Sequence, residues 1–408
     1  MAKDRADIVG SILSSMRRRF GSEHAIAGAD LAARSYRGIY LPPLCLQWLL
    51  CMNIFPVDKI VQLYGPEDSL KTTLALQIAR WFIDSGGQTV FIDTEHKLPV
   101  DITKGIIGKE GYEFFQYHDV ESADAAQEVI FNYIAVTKSI KAEISEHNEN
   151  SPDDPWDETC TLIILDSLAG ALSAEERAKL EKEQHASASV APYAKKWTEP
   201  FVKIAEDLVN SNTAFLCINH AMPGIGLYTT ETTPGGKRKE FMSSLKLRSS
   251  LAHGANSQKT YAHRVERQIK IKTTKNSMGT AFKEIPELSF FWGEDGNFRF
   301  DFSRASVDRI KDYLTGSSSV NLGPMEDLHV RNKRYSSKSM DIRSATPQEV
   351  LDVVFSTPEI IDDLYTKWGI YKREIINPER VSAMKKQANV DDTTPEEDED
   401  EARPESKD

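Results

Sequence analysis

Four short apolar runs constrain this chain more than any other feature: KIVQLY at 59–64, QTVFID at 88–93, LIIL at 162–165 and AFLCIN at 214–219. None keeps the strict apolar–polar alternation of a strand with one wet face, so each reads as a strand covered on both faces. Between them lie stretches of helical length and period at 71–84, 123–140 and 192–209. Apolar strands alternating with helices predict an α/β fold: a mostly parallel central sheet flanked by helices. Two later runs, 267–274 and 287–292, extend that sheet as antiparallel additions.

Around this core the sequence predicts four parts. Residues 1–58 hold a lead-in and an amphipathic helix over 4–19, with Ile8, Ile12, Leu13 and Met16 at helical spacing and Arg17, Arg18 and Arg19 in its last turn. The apolar stretch 41–55 is expected to pack beneath the first core strand. Residues 59–320 form the core, with the polar segment 141–159 as a surface insertion. Residues 321–388 read as a small helical domain, with helices at 348–355, 359–368 and 378–387. Residues 389–408 read as a disordered acidic tail.

That tail resolves a conflict over charge. The net charge of −12 argues against a polyanionic partner, yet 391–408 alone carries ten acids and two bases. Conversely, 235–283 carries twelve Lys and Arg against two Glu. A basic stretch inside the fold and an acidic tail outside it can compete for one partner. No apolar run reaches the roughly 18 residues of a membrane span. MAKDRADIVG lacks a secretory pattern. The four cysteines, Cys45, Cys51, Cys160 and Cys217, show no metal-ligand spacing. No membrane partner, no zinc and a cytoplasmic location are therefore expected.

The chemistry is concentrated where the core strands end. Gly65-Pro66-Glu67-Asp68-Ser69-Leu70-Lys71-Thr72-Thr73 follows one predicted strand and opens a predicted helix, the context a phosphate loop requires. Loop and helix N–H groups would cradle phosphates, Lys71 would reach their outer oxygens, and Thr72 would help hold Mg²⁺. Leu70 stands where such loops carry a second glycine. Asp166 ends the strand LIILD, as a carboxylate holding a metal's water shell does, and Glu95 follows FID, placed to activate water. A lone strand-end acid is usually a turn residue. Three such strings, each after a strand and in this order, are much more specific.

Together GPEDSLKTT, FIDTEH, LIILDS and FLCINH resemble the RecA family, in family order and with its Lys71–Glu95 spacing. MRRRFG and TTPGGKRKEF also resemble the family's first helix end and second DNA loop, so the likeness runs from about residue 8 to 302. Leu70 and the pair Asn219-His220 resemble the phage UvsX branch. The resemblance implies an ATP- and Mg²⁺-dependent, DNA-dependent ATPase with a RecA-like core. Such a protein forms a homo-oligomeric helical filament on single-stranded DNA and then takes up duplex DNA for strand exchange in recombination, repair and recombination-dependent replication. Mediator and single-strand-binding proteins would be further partners, in a bacterial host's cytoplasm if the chain is phage-encoded.

By position, the resemblance makes Glu95 the catalytic base, with Lys71 and His220 beside it, His220 sensing the γ-phosphate. Lys272 and Lys275 match lysines that reach the neighbouring subunit's ATP, although Ser277 replaces one of the family's. Trp292 matches an aromatic near the adenine, and Pro99 and Ile102 replace an acidic pair there. DNA contacts would come from a first loop within 182–190, from Lys195, and from a second loop over 221–241 with Gly235, Gly236, Lys237, Arg238 and Lys239. Glu240 departs from a family lysine. Two rivals remain. A RecA-core hexameric helicase would need a larger N-terminal partner domain than 58 residues. A nucleotide-regulated DNA-coating scaffold would need little turnover, against which Lys71, Thr72, Glu95 and Asp166 all stand.

Overall fold

The computed structural model describes residues 5–20, 36–168, 170, 196–221, 231, 233, 236–253, 258–260, 264–280, 282–293, 298–316, 329–331, 334–337 and 341–390. In chain order these form α1 (Arg5–Phe20), β1 (Arg37–Tyr40), α2 (Leu44–Leu50), β2 (Ile54–Pro56), β3 (Lys59–Gly65), α3 (Lys71–Asp84), β4 (Gln88–Asp93), α4 (Val100–Ile107), β5 (Phe115–Asp119), α5 (Ala123–Asn150), β6 (Thr161–Asp166), α6 (Thr198–Asp207) and β7 (Thr213–His220). There follow α7 (Gly236–Met242), β8 (Leu245–Leu251), β9 (Gln258–Thr260), β10 (Arg264–Asn276), β11 (Glu284–Gly293), β12 (Phe298–Phe300), α8 (Phe302–Gly316), β13 (His329–Arg331), β14 (Arg334–Ser337), β15 (Ile342–Ala345), α9 (Pro347–Ser356), α10 (Pro358–Trp368), β16 (Glu374–Ile375) and α11 (Val381–Val390).

The central sheet runs β12-β11-β10-β8-β3-β7-β6-β4-β5, with β9 paired to β10. From β8 to β5 every pairing is parallel, and β8–β10, β10–β11 and β11–β12 are antiparallel. The period of two along each strand sorts its apolar residues onto two faces. Val61, Leu63, Phe91, Leu162, Ile164, Leu216 and Ile218 join a core with α3, through Leu74 and Ile78. Ile60, Val90, Ile92, Ile163, Leu165, Phe215 and Cys217 join a second core with α5 and α6, through Ile130, Ile134, Phe201 and Ile204. Each such side chain contributes about 1.5–3 kcal/mol on full burial. Both faces are dry, which is why the strands carry no alternation. The α/β architecture expected from the sequence is the one observed. All four cysteines are free and buried. No helix among the described residues is long and apolar enough to cross a membrane.

Three expectations need correction. The helix expected over 123–140 continues to Asn150, so half of the 141–159 segment is helical. Its residues KAEISEHNEN hold good helix formers with Ile144 buried, and the helix stops at Ser151, where Pro152 disfavours helical backbone before it. The end of the segment is tied down: Glu158 receives Arg37 at 2.6 Å and its N–H donates to Asn377. The C-terminal region is not purely helical. It adds the antiparallel sheet β13-β14-β15, and β16 pairs in parallel with β1, the N-terminal neighbour of β2. Its helices share a core with Leu44, Val307 and Ile310 of the preceding elements. Finally, 236–241, expected as loop, lies in α7.

Candidate functional site

Four adjacent parallel strands, β3, β7, β6 and β4, end on one edge, with Gly65 beside His220 and Asp93 beside Asp166 in register. At Gly65 a Cβ would stand 1.9 Å from the Ser249 carbonyl oxygen, so only glycine lets β3 pass β8 into the loop. Pro66, Glu67 and Asp68 are exposed on the rim; Ser69 is buried and its hydroxyl donates to the Pro66 carbonyl at 2.8 Å. Lys71 Nζ donates to the same carbonyl at 2.6 Å. Thr73 is buried in the first turn of α3, whose N-terminus no side chain caps, leaving first-turn N–H groups for an anion.

Leu70 answers the question its presence raises. Its φ of 56° and ψ of 31° are the left-handed values that a glycine would supply. Its side chain is buried in the core beneath α3, away from the loop's rim. The backbone shape is thus kept at a conformational cost that burial offsets.

The acidic groups are positioned by local geometry. Asp93 accepts N–H bonds from Glu95, His96, Lys97 and Leu98, and so folds the DTEHKL turn that presents Glu95. Glu95 Oε1 lies 2.9 Å from His220 Nε2 and also accepts from the Ser167 hydroxyl. The His220 hydrogen bond, reinforced by Ser167, holds the Glu95 carboxyl down to about 2. Asp166 moves the other way. Desolvation pushes it up to about 6 despite the Thr72 hydroxyl, which donates to its Oδ2 at 2.5 Å; the charges of Glu95 and Asp93 push in the same direction. Burial lowers Lys71, opposed by the charges of Asp166 and Glu95. An amine, a hydroxyl, a carboxyl pushed up by burial and one held down by its hydrogen bonds therefore converge near one uncapped helix end.

The remaining sequence-predicted residues are not gathered there. Lys195, the segment 182–190 and Gly235 lie outside the described residues. Gly236 and Lys237 open α7, and Arg238 is exposed on it. Lys239 is fully buried, and its ammonium is spent on the Thr233 carbonyl at 3.0 Å and Glu240 at 2.7 Å, so it does not face a phosphate partner. Lys275 donates to the Glu240 and Phe241 carbonyls at 2.7 and 3.0 Å, closing the C-terminal end of α7. Lys272 sits on β10, partly buried. Trp292 stands on β11, separated from β3 by the two strands β10 and β8, edge-on to Phe290 at 4.7 Å. Sequence reasoning gave no role to Ser167 or Asp93, though both lie in the quoted strings. It gave no role to Lys246 and Arg248, which hold Glu240 and Glu231, because lone polar residues inside strands carry no motif.

A strand–loop–helix turn with carboxylates on neighbouring strand ends, set in a mostly parallel sheet flanked by helices, is consistent with the class of α/β proteins with a RecA-like core. The chain belongs to the RecA family: residues 7–114 and 157–296, more than half of it, match the family model of the RecA N-terminal domain. It is 27% identical over 297 residues to Protein RecA of Rubrobacter xylanophilus, covering 72% of this chain and 77% of that one. It is 27% identical over 288 residues to Protein RecA of Mycoplasma mobile (70% and 78%) and 26% identical over 316 residues to that of Geobacter sulfurreducens (76% and 83%). The unmatched stretch 115–156 is the one that carries β5 and the long helix α5.

Proposed function

We propose that this chain is an ATP-dependent DNA recombinase that assembles as a helical filament on single-stranded DNA and exchanges strands with a homologous duplex. The convergence of Lys71, Thr72, Asp166, Glu95 and His220 at the ends of four adjacent parallel strands is the observation that carries this reading. The residues fit the nucleotide and its metal. The uncapped N-terminus of α3 and the buried Lys71 suit polyanionic phosphates, and an Asp166 carboxyl reluctant to ionise alone suits a divalent cation. Lys71 and the loop 65–73 would hold ATP, and Thr72 and Asp166 would hold Mg²⁺, which supplies neutralisation of phosphate charge when bound.

Glu95, ionised at any physiological pH, is an acceptor aimed by Asp93 and held by His220 and Ser167. It would orient and deprotonate the attacking water. His220 would pass the state of that carboxylate to the segment that follows β7. ATP would lie between subunits in head-to-tail contact, with Lys272, Lys275 and Trp292 acting from β10 and β11 of a neighbour; such contacts give an open helix when the rotation does not close. DNA would be gripped through its backbone by Lys195, Gly235, Gly236, Lys237 and Arg238, with base pairing left to read sequence. Leu70 and Asn219-His220 favour the phage UvsX branch, with mediator and single-strand-binding proteins as partners in the host cytoplasm. Residues 321–388 would be an appended unit, and 389–408 a tail competing with DNA.

The test is ATP hydrolysis with and without single-stranded DNA, beside Glu95→Gln. Stimulation by DNA that the substitution abolishes supports the recombinase. DNA binding that needs ATP without turnover would replace it with a nucleotide-regulated scaffold.

A further inference from the structure

Two described acids of 221–241, Glu231 and Glu240, are held by cations of one strand. Lys246 and Arg248 lie two apart on β8, on one face of the sheet, and they grip Glu240 and Glu231 respectively. The two grips differ. Glu240 is enclosed: Lys239, Lys246 and the Thr233 hydroxyl all donate to it, Lys246 also stands 4.9 Å from the Tyr64 ring centroid, and Lys239 is fully buried. Removing a partner from such a network strands a buried charge. Glu231 is held at the rim. Arg248 donates to its two oxygens through Nε and Nη2, both at 2.5 Å, with the arginine side chain 28% and the glutamate 39% exposed.

A guanidinium fork donates two parallel hydrogen bonds, and a carboxylate and a phosphodiester offer it nearly the same pair of oxygens. An exposed ion pair contributes little to stability, so a polyanion that releases counterions on binding can displace the carboxylate. Position favours that exchange. Arg248 lies beside Tyr64 in register, immediately before the phosphate loop, and its neighbour Ser249 donates through its hydroxyl to the Ser69 carbonyl in that loop.

We infer that Arg248 is a DNA-phosphate ligand which Glu231 occupies in the absence of DNA, so that binding exchanges a carboxylate of this chain for a phosphodiester of the DNA. The inference rests on the DNA-binding reading above. Glu240, by contrast, stays bound to Lys239 and Lys246 throughout.

The experiment is fluorescence anisotropy of a labelled oligothymidylate with the full chain and ATP, over a series of KCl concentrations, for wild type, Glu231→Gln, Arg248→Gln and the double variant. Thermal unfolding of each confirms its fold, and Arg248→Lys, which keeps the charge but loses the fork, replaces any Arg248→Gln protein that does not fold. Exchange predicts that Glu231→Gln binds about three- to tenfold tighter at low salt, and that Arg248→Gln binds weaker with a salt slope shallower by about 0.7. The double variant should show none of the gain. If the pair were only a structural tie, Glu231→Gln would bind no tighter or weaker, which overturns the inference. A gain that survives in the double variant is a general charge effect and overturns it too. Wild type that binds no single-stranded DNA brings down the recombinase reading itself, and this inference with it.

Discussion

The strand ends around the 65–73 loop and the base of α7 both set lysines against carboxylates, yet they are assembled in opposite ways. Around the loop the polar residues are fixed by contiguous local segments: Gly65 passes β8, Asp93 folds the turn that presents Glu95, and Thr72 in the first turn of α3 meets Asp166. The two carboxyls there are driven apart, Glu95 down by its hydrogen bonds and Asp166 up by burial. At the base of α7, Lys239, Glu240, Lys246 and Lys275 come from a short helix and two strands, and their bonds are mutual. Desolvation lowers Lys239, while Lys239 and Lys246 hold Glu240 down to about 2 against burial. At the strand ends opposite shifts set two carboxyls apart; at α7 charges that satisfy one another hold shape.

This contrast can be broken most severely at Glu95. Glu95→Gln should lower DNA-stimulated ATP turnover by about 10²–10⁴-fold while the fold survives, measured by steady-state hydrolysis beside circular dichroism. A variant of near-normal rate would mean that the strand-end cluster is another structural network.

The same carboxylate supplies a pH signature. Its folded value of about 2 lies below the ordinary 4.5, so its stabilisation is fully present above about pH 4.5 and is lost as pH falls through 2. The stability difference between wild type and Glu95→Gln should therefore shrink over that window, by on the order of 3 kcal/mol in denaturant titrations. A pH-independent difference would show that the His220 bond does not hold Glu95 ionised.

At the other cluster, Glu240→Ala should cost stability, not turnover chemistry. It strands the buried Lys239, and the expected loss is about 2 kcal/mol, discounted because a third of the Glu240 side chain is open to solvent. Urea unfolding checks it, and an unchanged midpoint would sink the structural role.

The smallest effect is expected at Leu70, where the comparison can be sharpened. Leu70→Gly relieves a left-handed leucine but deletes a buried side chain, and burial at about 1.5–3 kcal/mol outweighs strain of about 1. A net destabilisation of about 1 kcal/mol by thermal unfolding is the expected outcome, and a more stable variant would show that strain dominates.

Legibility in the sequence followed the same divide. The strands 88–93 and the helix 71–84 were readable to the residue, because burial on both faces leaves an unbroken apolar run and a phosphate loop marks a helix start. The order of Lys71, Glu95, Asp166 and His220 was readable because strand-end motifs are contiguous. The run of α5 to Asn150 was not, since its polar surface residues look like a loop's. Nor were the strands β13 to β16 near the C-terminus, too short for a period to emerge, or the burial of Lys239, which reads in sequence as one more base of a basic loop.

The layers, the direction of the core strands and the order of the strand-end residues were legible in the sequence alone, because unbroken apolar runs alternating with helical stretches, and a loop of nine residues, are local properties of the chain. The tertiary structure alone decided which cations are spent. Whether a lysine faces DNA, a carbonyl or a buried glutamate depends on what another strand brings within three ångströms, and nothing local in the chain encodes that distance. Arg248 beside Glu231, seventeen residues apart, is the clearest case.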